Sequence, residues 1–388
     1  MNKKIKVLTF NGTYLPGYKA GGPIRSIANM TERLREEFTF YIITKDRDFN
    51  ENVPYKNIKI DDWNKIREEF VYYHSPRKDN LSNIMKLIKD YDFDIVYLNG
   101  FFSSYTLKYL LLRRMKLIDK YPTIILPRGD LSTSALKLKS FKKKFFIGVA
   151  KILGLYSGLV WQATSEHEAR DIKKNFKSDI RVVNVGNLSS IPISSEVSKR
   201  EQKKTGCLKI VFLSRITKMK NLKYALKVLG DLKENIEFNI YGPVSDKQYW
   251  KECMKLIEDF PQNINVNYHG SINNNEVNST MKENHALFLP TLGENYGHVI
   301  VEALLAEIPI LISDNTPWRN LEDYNVGWDI SLDQPEEFQN KIRYLASLDE
   351  DEYSSFRKNT RIYIDKYIDT EEKINDVKEL FFSTIYKI

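Results

Sequence analysis

Short apolar runs alternate with helix-length segments along almost the whole chain, in two series broken once. In the first series Ile5–Phe10, Phe38–Ile43, Asp94–Leu98, Thr123–Leu126 and Leu159–Ala163 read as strands. A helix follows the first, with Ile27, Met30 and Leu34 on one face. Ser165 and Glu168 have capping-box spacing and open another. Apolar strands interleaved with helices predict parallel sheets covered on both faces. Between Ile191 and Gly206 the pattern stops in a polar, charged stretch, which marks a domain boundary. The alternation then restarts with strands at Lys209–Leu213, Phe238–Tyr241, Ile264–His269, Ala286–Leu289 and Ile308–Ile312. The fold class is therefore α/β, with two doubly wound Rossmann-like domains over 1–195 and 206–365. A C-terminal helix over 366–388 is expected to return to the first domain through Phe381, Phe382 and Tyr386. Ligands of such sheets lie beyond the strand carboxyl ends, so the strand-to-helix loops are where function is sought.

At 388 residues the chain is long enough for two cores of ~150–200 residues each. A net charge of +8 points to an anionic partner without choosing among nucleotide, lipid and nucleic acid. No helix-turn-helix, zinc-finger or RNP-type pattern supports nucleic acid. Cys207 and Cys253 offer neither a disulfide framework nor a zinc site, so a reduced compartment is expected. Ile5–Phe10 is interrupted by Lys6 and lacks a cleavage site, which excludes a signal peptide. Phe145–Ala163 carries Lys151 at its centre and is not a membrane span. Three Asp-x-Asp strings, Asp46–Asp48, Asp92–Asp94 and Asp349–Asp351, are expected by chance among 51 acidic residues, so no metal site is expected.

The densest chemical signal is Pro290-Thr291-Leu292-Gly293-Glu294-Asn295-Tyr296-Gly297-His298, followed by a helix bearing Glu302. Amides at a helix start suit phosphate oxygens, and carboxylates suit sugar and ribose hydroxyls. Glu302 lies between Val301 and Ala303 in a helix that should be largely buried, where a lone charge calls for a ligand or partner. Upstream, Arg215 and Lys220 follow the first strand of the second series. Two fixed cations would oppose the charge that accumulates on a departing pyrophosphate.

The Glu294-to-Glu302 segment resembles the E-x7-E signature of glycosyltransferase family 4 and its retaining GT-B relatives, and Arg215 with Lys220 resembles the family's R-x4-K motif. The resemblance implies a GT-B fold, with an acceptor-binding first domain and a nucleotide-sugar-binding second domain facing a central cleft. It implies that Arg215, Lys220 and Glu294 are catalytic, with no protein nucleophile and no metal or other cofactor. Gly21-Gly22-Pro23 is similar to the family's glycine-rich loop, Tyr241-Gly242-Pro243 to its Gly-Pro turn, and His269-Gly270-Ser271 to the loop beside the donor base. Gly21, Gly22, Gly242, Gly270, Ser271, Asn295, Tyr296, Gly297, His298 and Glu302 are then donor-binding candidates. Pro127-Arg128-Gly129-Asp130 resembles a bacterial surface-polysaccharide branch, in which His-Gly is common. Arg128 stands in that histidine's place, which makes Arg128 and Asp130 candidates at the reacting centre, or caps of a turn.

These readings lead to a retaining transferase moving a hexose or N-acetylhexosamine from a UDP- or GDP-sugar to a glycan acceptor, lipid-linked, in surface-polysaccharide synthesis. The alternatives are a same-fold enzyme with a small soluble acceptor and a non-catalytic GT-B scaffold. The expected location is cytoplasmic, at the inner face of the cell membrane. Lys137, Lys139, Lys142, Lys143 and Lys144, interleaved with apolar residues, are expected to meet anionic headgroups.

Overall fold

The computed structural model describes residues 3–137, 140–176, 180–189, 201–367 and 371–387, with the side chains of Ser134, Lys137 and Ser140 outside that description. The chain forms two compact units: Met1–Ser190 with Asp369–Ile388, and Ile191–Ile368.

Unit 1 contains strands β1 (Ile5–Phe10), β2 (Phe38–Lys45), β3 (Trp63–Ile66), β4 (Glu69–His74), β5 (Ile95–Asn99), β6 (Thr123–Leu126), β7 (Val160–Ala163) and β8 (Arg181–Asn184). They form one sheet in the order β3-β4-β2-β1-β5-β6-β7-β8, parallel except for the β3–β4 hairpin. Helices α1 (Gly22–Arg33), α2 (Leu81–Lys89), α3 (Ser104–Arg114), α4 (Thr133–Lys137), α5 (Ser140–Ile152) and α6 (Glu166–Asn175) connect the strands. Alternate strand residues feed two cores. Leu8, Phe10, Val96 and Leu98 enter one, and Val7, Ile95, Tyr97 and Ile124 enter the other. The hairpin was not expected. Its turn places Arg67 at φ 51, and the Arg67 guanidinium and Tyr14 hydroxyl satisfy the buried Glu69 at 3.0 and 2.6 Å.

Unit 2 contains β9 (Cys207–Leu213), β10 (Asn235–Tyr241), β11 (Ile264–Gly270), β12 (Ala286–Leu289), β13 (Ile310–Ser313) and β14 (Gly327–Ile330). Their order is β11-β10-β9-β12-β13-β14, with every pairing parallel. Helices α7 (Leu222–Gly230), α8 (Lys247–Glu258), α9 (Val277–Lys282), α10 (His298–Leu305), α11 (Pro335–Ser347) and α12 (Glu350–Tyr367) complete it. The strand order reverses between β9 and β12, and such a switch point opens a crevice at the strand carboxyl ends.

The last helix, α13 (Glu371–Tyr386), belongs to unit 1. Phe381 is fully buried against Phe38, Phe40 and Tyr97, and Lys378 pairs with Glu37 at 2.6 Å. Tyr386, expected to pack, is largely exposed, with its ring stacked 6.4 Å from that of Phe382.

Candidate active site

Arg215, Lys220 and Glu294 come together at the β9/β12 switch point. After β9 the chain runs through Arg215 into a single turn of 3-10 helix, Lys218–Lys220, which Asn221 ends at φ 59. After β12 it runs through Thr291 and Glu294 to Gly297, which opens α10 at φ 78. The two loops are stitched together. The carbonyl of Met219 accepts from the Leu292 amide at 2.8 Å and from Thr291 Oγ1 at 3.0 Å. Ser313 Oγ donates to the Thr291 carbonyl at 2.5 Å, and the Glu294 amide donates to the Asn315 carbonyl at 3.0 Å. Lys220 Nζ and Glu294 Oε1 form an ion pair, their side chains only 15% and 16% exposed.

That burial shapes the electrostatics. Desolvation, with the positive Arg215 adding to it, pushes the Lys220 ammonium down to about 7. The Glu294 carboxylate in contact with it opposes both effects. Burial also lowers the Arg215 guanidinium from its ordinary value. Two cations are thus held close in a site that disfavours bare charge, so an anion supplied from solution would be strongly bound.

Glycine is obligatory at one support of this arrangement. Gly242 has φ 135, and a Cβ there would lie 1.9 Å from the Ser214 carbonyl oxygen. The turn it makes with Pro243 lets the Ile216 amide reach the Pro243 carbonyl at 2.9 Å, which fixes the strand end bearing Arg215. The Gly242 amide in turn donates to the Gly270 carbonyl at 2.7 Å, with Ser271 following it half-buried. His269 stacks on Tyr241 at 4.5 Å. Across α10, Trp318 Nε1 donates to the Tyr296 carbonyl at 2.6 Å, and the Tyr296 and His298 rings lie 4.7 Å apart. No side chain caps α10 at Gly297, leaving its amide end suited to an anion. Asn295 is half-buried in the loop before α10, and Glu302 is half-buried on α10 beside the buried Val301, Ala303 and Leu304.

The first-series candidates belong to unit 1. Gly21 has φ 67 and precedes α1, whose first residue is Gly22. The loop before them is held by Asp48, which accepts from the Tyr18 amide at 2.9 Å and the Lys19 amide at 3.2 Å. Asp46 pairs with Arg47 at 2.7 Å, so this Asp-x-Asp string serves the loop. Among the described residues no cluster of three or more His, Cys, Asp or Glu side chains could hold a metal ion. Asp130 accepts from the Phe101 and Phe102 amides at 2.8 and 3.2 Å, the turn-capping arrangement. Arg128 sits at φ 59, with its guanidinium donating to Asn99 at 2.7 Å and Asn187 at 3.1 Å. Thr291 stood inside the densest stretch without a role of its own, and Asn99, Asn187 and Met219 take theirs from partners distant along the chain.

Residues 194–363 match the model of the family "Glycosyl transferases group 1". The matched stretch lies within unit 2. Arg215, Lys220, Glu294 and Glu302 all lie within that matched stretch. The chain as a whole has the GT-B fold. It aligns with HepE of Anabaena, solved with UDP and glucose, over 98% of this chain and 100% of that one at 13% identity and a TM-score of 0.68. Sucrose-phosphate synthase of Thermosynechococcus elongatus aligns over 99% and 100% at 12% identity and a TM-score of 0.73. WaaG, a glycosyltransferase involved in lipopolysaccharide biosynthesis, aligns over 96% and 99% at 13% identity and a TM-score of 0.66. A curated relative, an uncharacterised 41.2 kDa protein in the cps region of Klebsiella pneumoniae, is 26% identical over 239 residues, 60% of this chain. The match spans 63% of that relative, less than two thirds of its length.

Proposed function

We propose that the protein is a retaining glycosyltransferase that moves a hexose or N-acetylhexosamine from a UDP- or GDP-sugar to a glycan acceptor in surface-polysaccharide synthesis. The observation that carries this reading is the placement of Arg215, Lys220 and Glu294 together at the switch point of unit 2. The donor diphosphate would displace Glu294 from Lys220, freeing the carboxylate for sugar hydroxyls. The acceptor oxygen then attacks the anomeric carbon on the face from which the diphosphate leaves. The bond to the β-phosphate oxygen breaks, and the departing phosphate takes the acceptor proton. Arg215 and Lys220 stabilise the leaving charge, so no metal and no protein nucleophile are needed. The HepE complex with UDP and glucose and the cps-region relative agree with the donor class and the pathway.

A lipid-linked acceptor is favoured by α5. Phe141, Phe145 and Ile152 share one helical face and are 82%, 67% and 86% exposed, with Lys142, Lys144 and Lys151 exposed around them. Lys143 turns inward, donating to the Ala135 carbonyl at 2.8 Å, and is dropped from the contact. Lys139 and the side chain of Lys137 lie outside the described residues. No helix among the described residues is long and apolar enough to cross a membrane.

The test is a thermal-shift screen of UDP-, GDP- and ADP-sugars, followed by nucleotide release with EDTA present and anomer assignment by NMR. Selective stabilisation by one sugar nucleotide and metal-independent release with retained configuration are expected. Failure of every sugar nucleotide to bind would overturn the reading in favour of a scaffold. Salt-sensitive cosedimentation with anionic vesicles tests the lipid-linked acceptor, and no binding favours a soluble one.

A further inference from the structure

Arg128 carries a permanent charge, and among the described residues its hydrogen-bond partners are neutral amides. A guanidinium has five N–H donors. Arg128 makes one hydrogen bond from each terminal nitrogen, to the Asn187 and Asn99 side-chain oxygens, and both partners are neutral amides. Its Nε is buried without a partner. Asn99 is itself fixed, donating to the Phe10 carbonyl at 3.1 Å, so the clamp rests on the carboxyl ends of the central strands β1 and β5. The nearby acids are engaged elsewhere. Asp130 holds the Phe101 and Phe102 amides, while Glu168 accepts from the Gly129 amide at 2.7 Å and from Thr164 at 2.8 Å. Among the described residues, no carboxylate lies within ion-pair distance of Arg128. Its backbone sits in the left-handed region, a strain that persists where the surroundings over-determine it. Burial lowers its pKa, and the nearby Glu168 carboxylate offsets that only in part.

We propose that Arg128 is the receptor for an oxyanion, a carboxylate or a phosphate, carried by the substrate that unit 1 binds. The two asparagines hold the fork flat and leave N–H groups for bidentate contact, the geometry in which arginine reads such groups. This rests on the transferase reading for the identity of the substrate, while the anion site stands on unit 1 alone.

The experiment measures thermal unfolding of the full chain in glucuronate, inorganic phosphate and glucose at fixed ionic strength. It is run on the wild type, on Lys220→Ala to silence the cation pair of unit 2, and on Arg128→Gln in that background. One of the two anions is expected to stabilise the first two chains while glucose does not, and which one responds tells a uronic acid from a phosphorylated substrate. Arg128→Gln should weaken that response at least ~10-fold, and Arg128→Lys by less. An equal response in Arg128→Gln, or no response to either anion in the wild type, overturns the proposal. Should Arg128→Gln fail to fold, Asn187→Ala keeps the guanidinium and loosens the clamp, and unchanged anion binding there overturns it equally. Nucleotide binding to the wild type tests the transferase reading separately: its absence with the anion response intact would strike unit 2 alone.

Discussion

Lys220 is held under opposed pressures, and its protonation is the variable that donor binding should move. Its folded pKa lies below the ordinary 10.5, so the stability its neutral form contributes is full above 10.5 and is lost as pH falls towards about 7. A bound diphosphate carries more charge than the Glu294 carboxylate it displaces, so the fraction of Lys220 that is neutral near pH 8 should take up a proton when nucleotide binds. Calorimetric titration in Tris and in HEPES should report uptake of up to about one proton per nucleotide, absent in Lys220→Met. Buffer-independent heats would contradict it. Lys220→Ala should lower turnover by ~10²–10³, the scale of losing one preorganised charge donor, with the circular dichroism unchanged. Glu302→Gln should weaken nucleotide binding by ~1–3 kcal/mol, and unchanged affinity for both UDP and GDP rejects its donor-binding role. Two buried histidines act in the opposite pH range. Burial holds His74 down to about 4 and His285 down to about 3. Each contributes stability present above 6.5 and lost as pH falls below it, so urea unfolding should reveal ~1.4 kcal/mol lost per pH unit per histidine between pH 6 and 5.

At the scale of elements, the site depends on turns that hold strand ends in place. Gly242→Ala drives a methyl into the Ser214 carbonyl and should cost ~3 kcal/mol or more, lowering nucleotide affinity with it because Arg215 is the next residue. A melting temperature equal to wild type would refute this. The same turns mark where reading the sequence succeeded and where it stopped. The central strands were legible because each is an apolar run ending in a polar or glycine-bearing loop, as Ala286–Leu289 does. The β3–β4 hairpin was not, because its two-residue turn is Arg67-Glu68 rather than Asn-Gly and its buried Glu69 disguises the strand. Lys220 and Glu294 were both named in advance, yet their pairing spans 74 residues and is set by the Met219 carbonyl, a backbone atom that no side-chain pattern announces. Arg128 was visible as a departure from a pattern. Its asparagine clamp was not, since Asn99 and Asn187 are ordinary residues until β5 and the chain beyond β8 bring them to one guanidinium.

For the whole molecule, the decisive feature is the return of α13 to unit 1. Phe381→Ala should destabilise unit 1 by ~3–5 kcal/mol, because Phe38, Phe40 and Tyr97 would face a cavity. UDP- or GDP-induced stabilisation of unit 2 should survive that substitution, and loss of both transitions together in calorimetry would contradict it. The same connectivity sets an order on synthesis. Unit 2 has its complete set of strands before α13 leaves the ribosome, whereas the core of unit 1, begun before it, waits for helix residues made after unit 2. Throughout the making of unit 2 the aromatic face of the earlier sheet stands open to chaperones or to a neighbouring nascent chain. A ribosome stalled before Glu371 would carry one finished lobe and one still awaiting its closing piece.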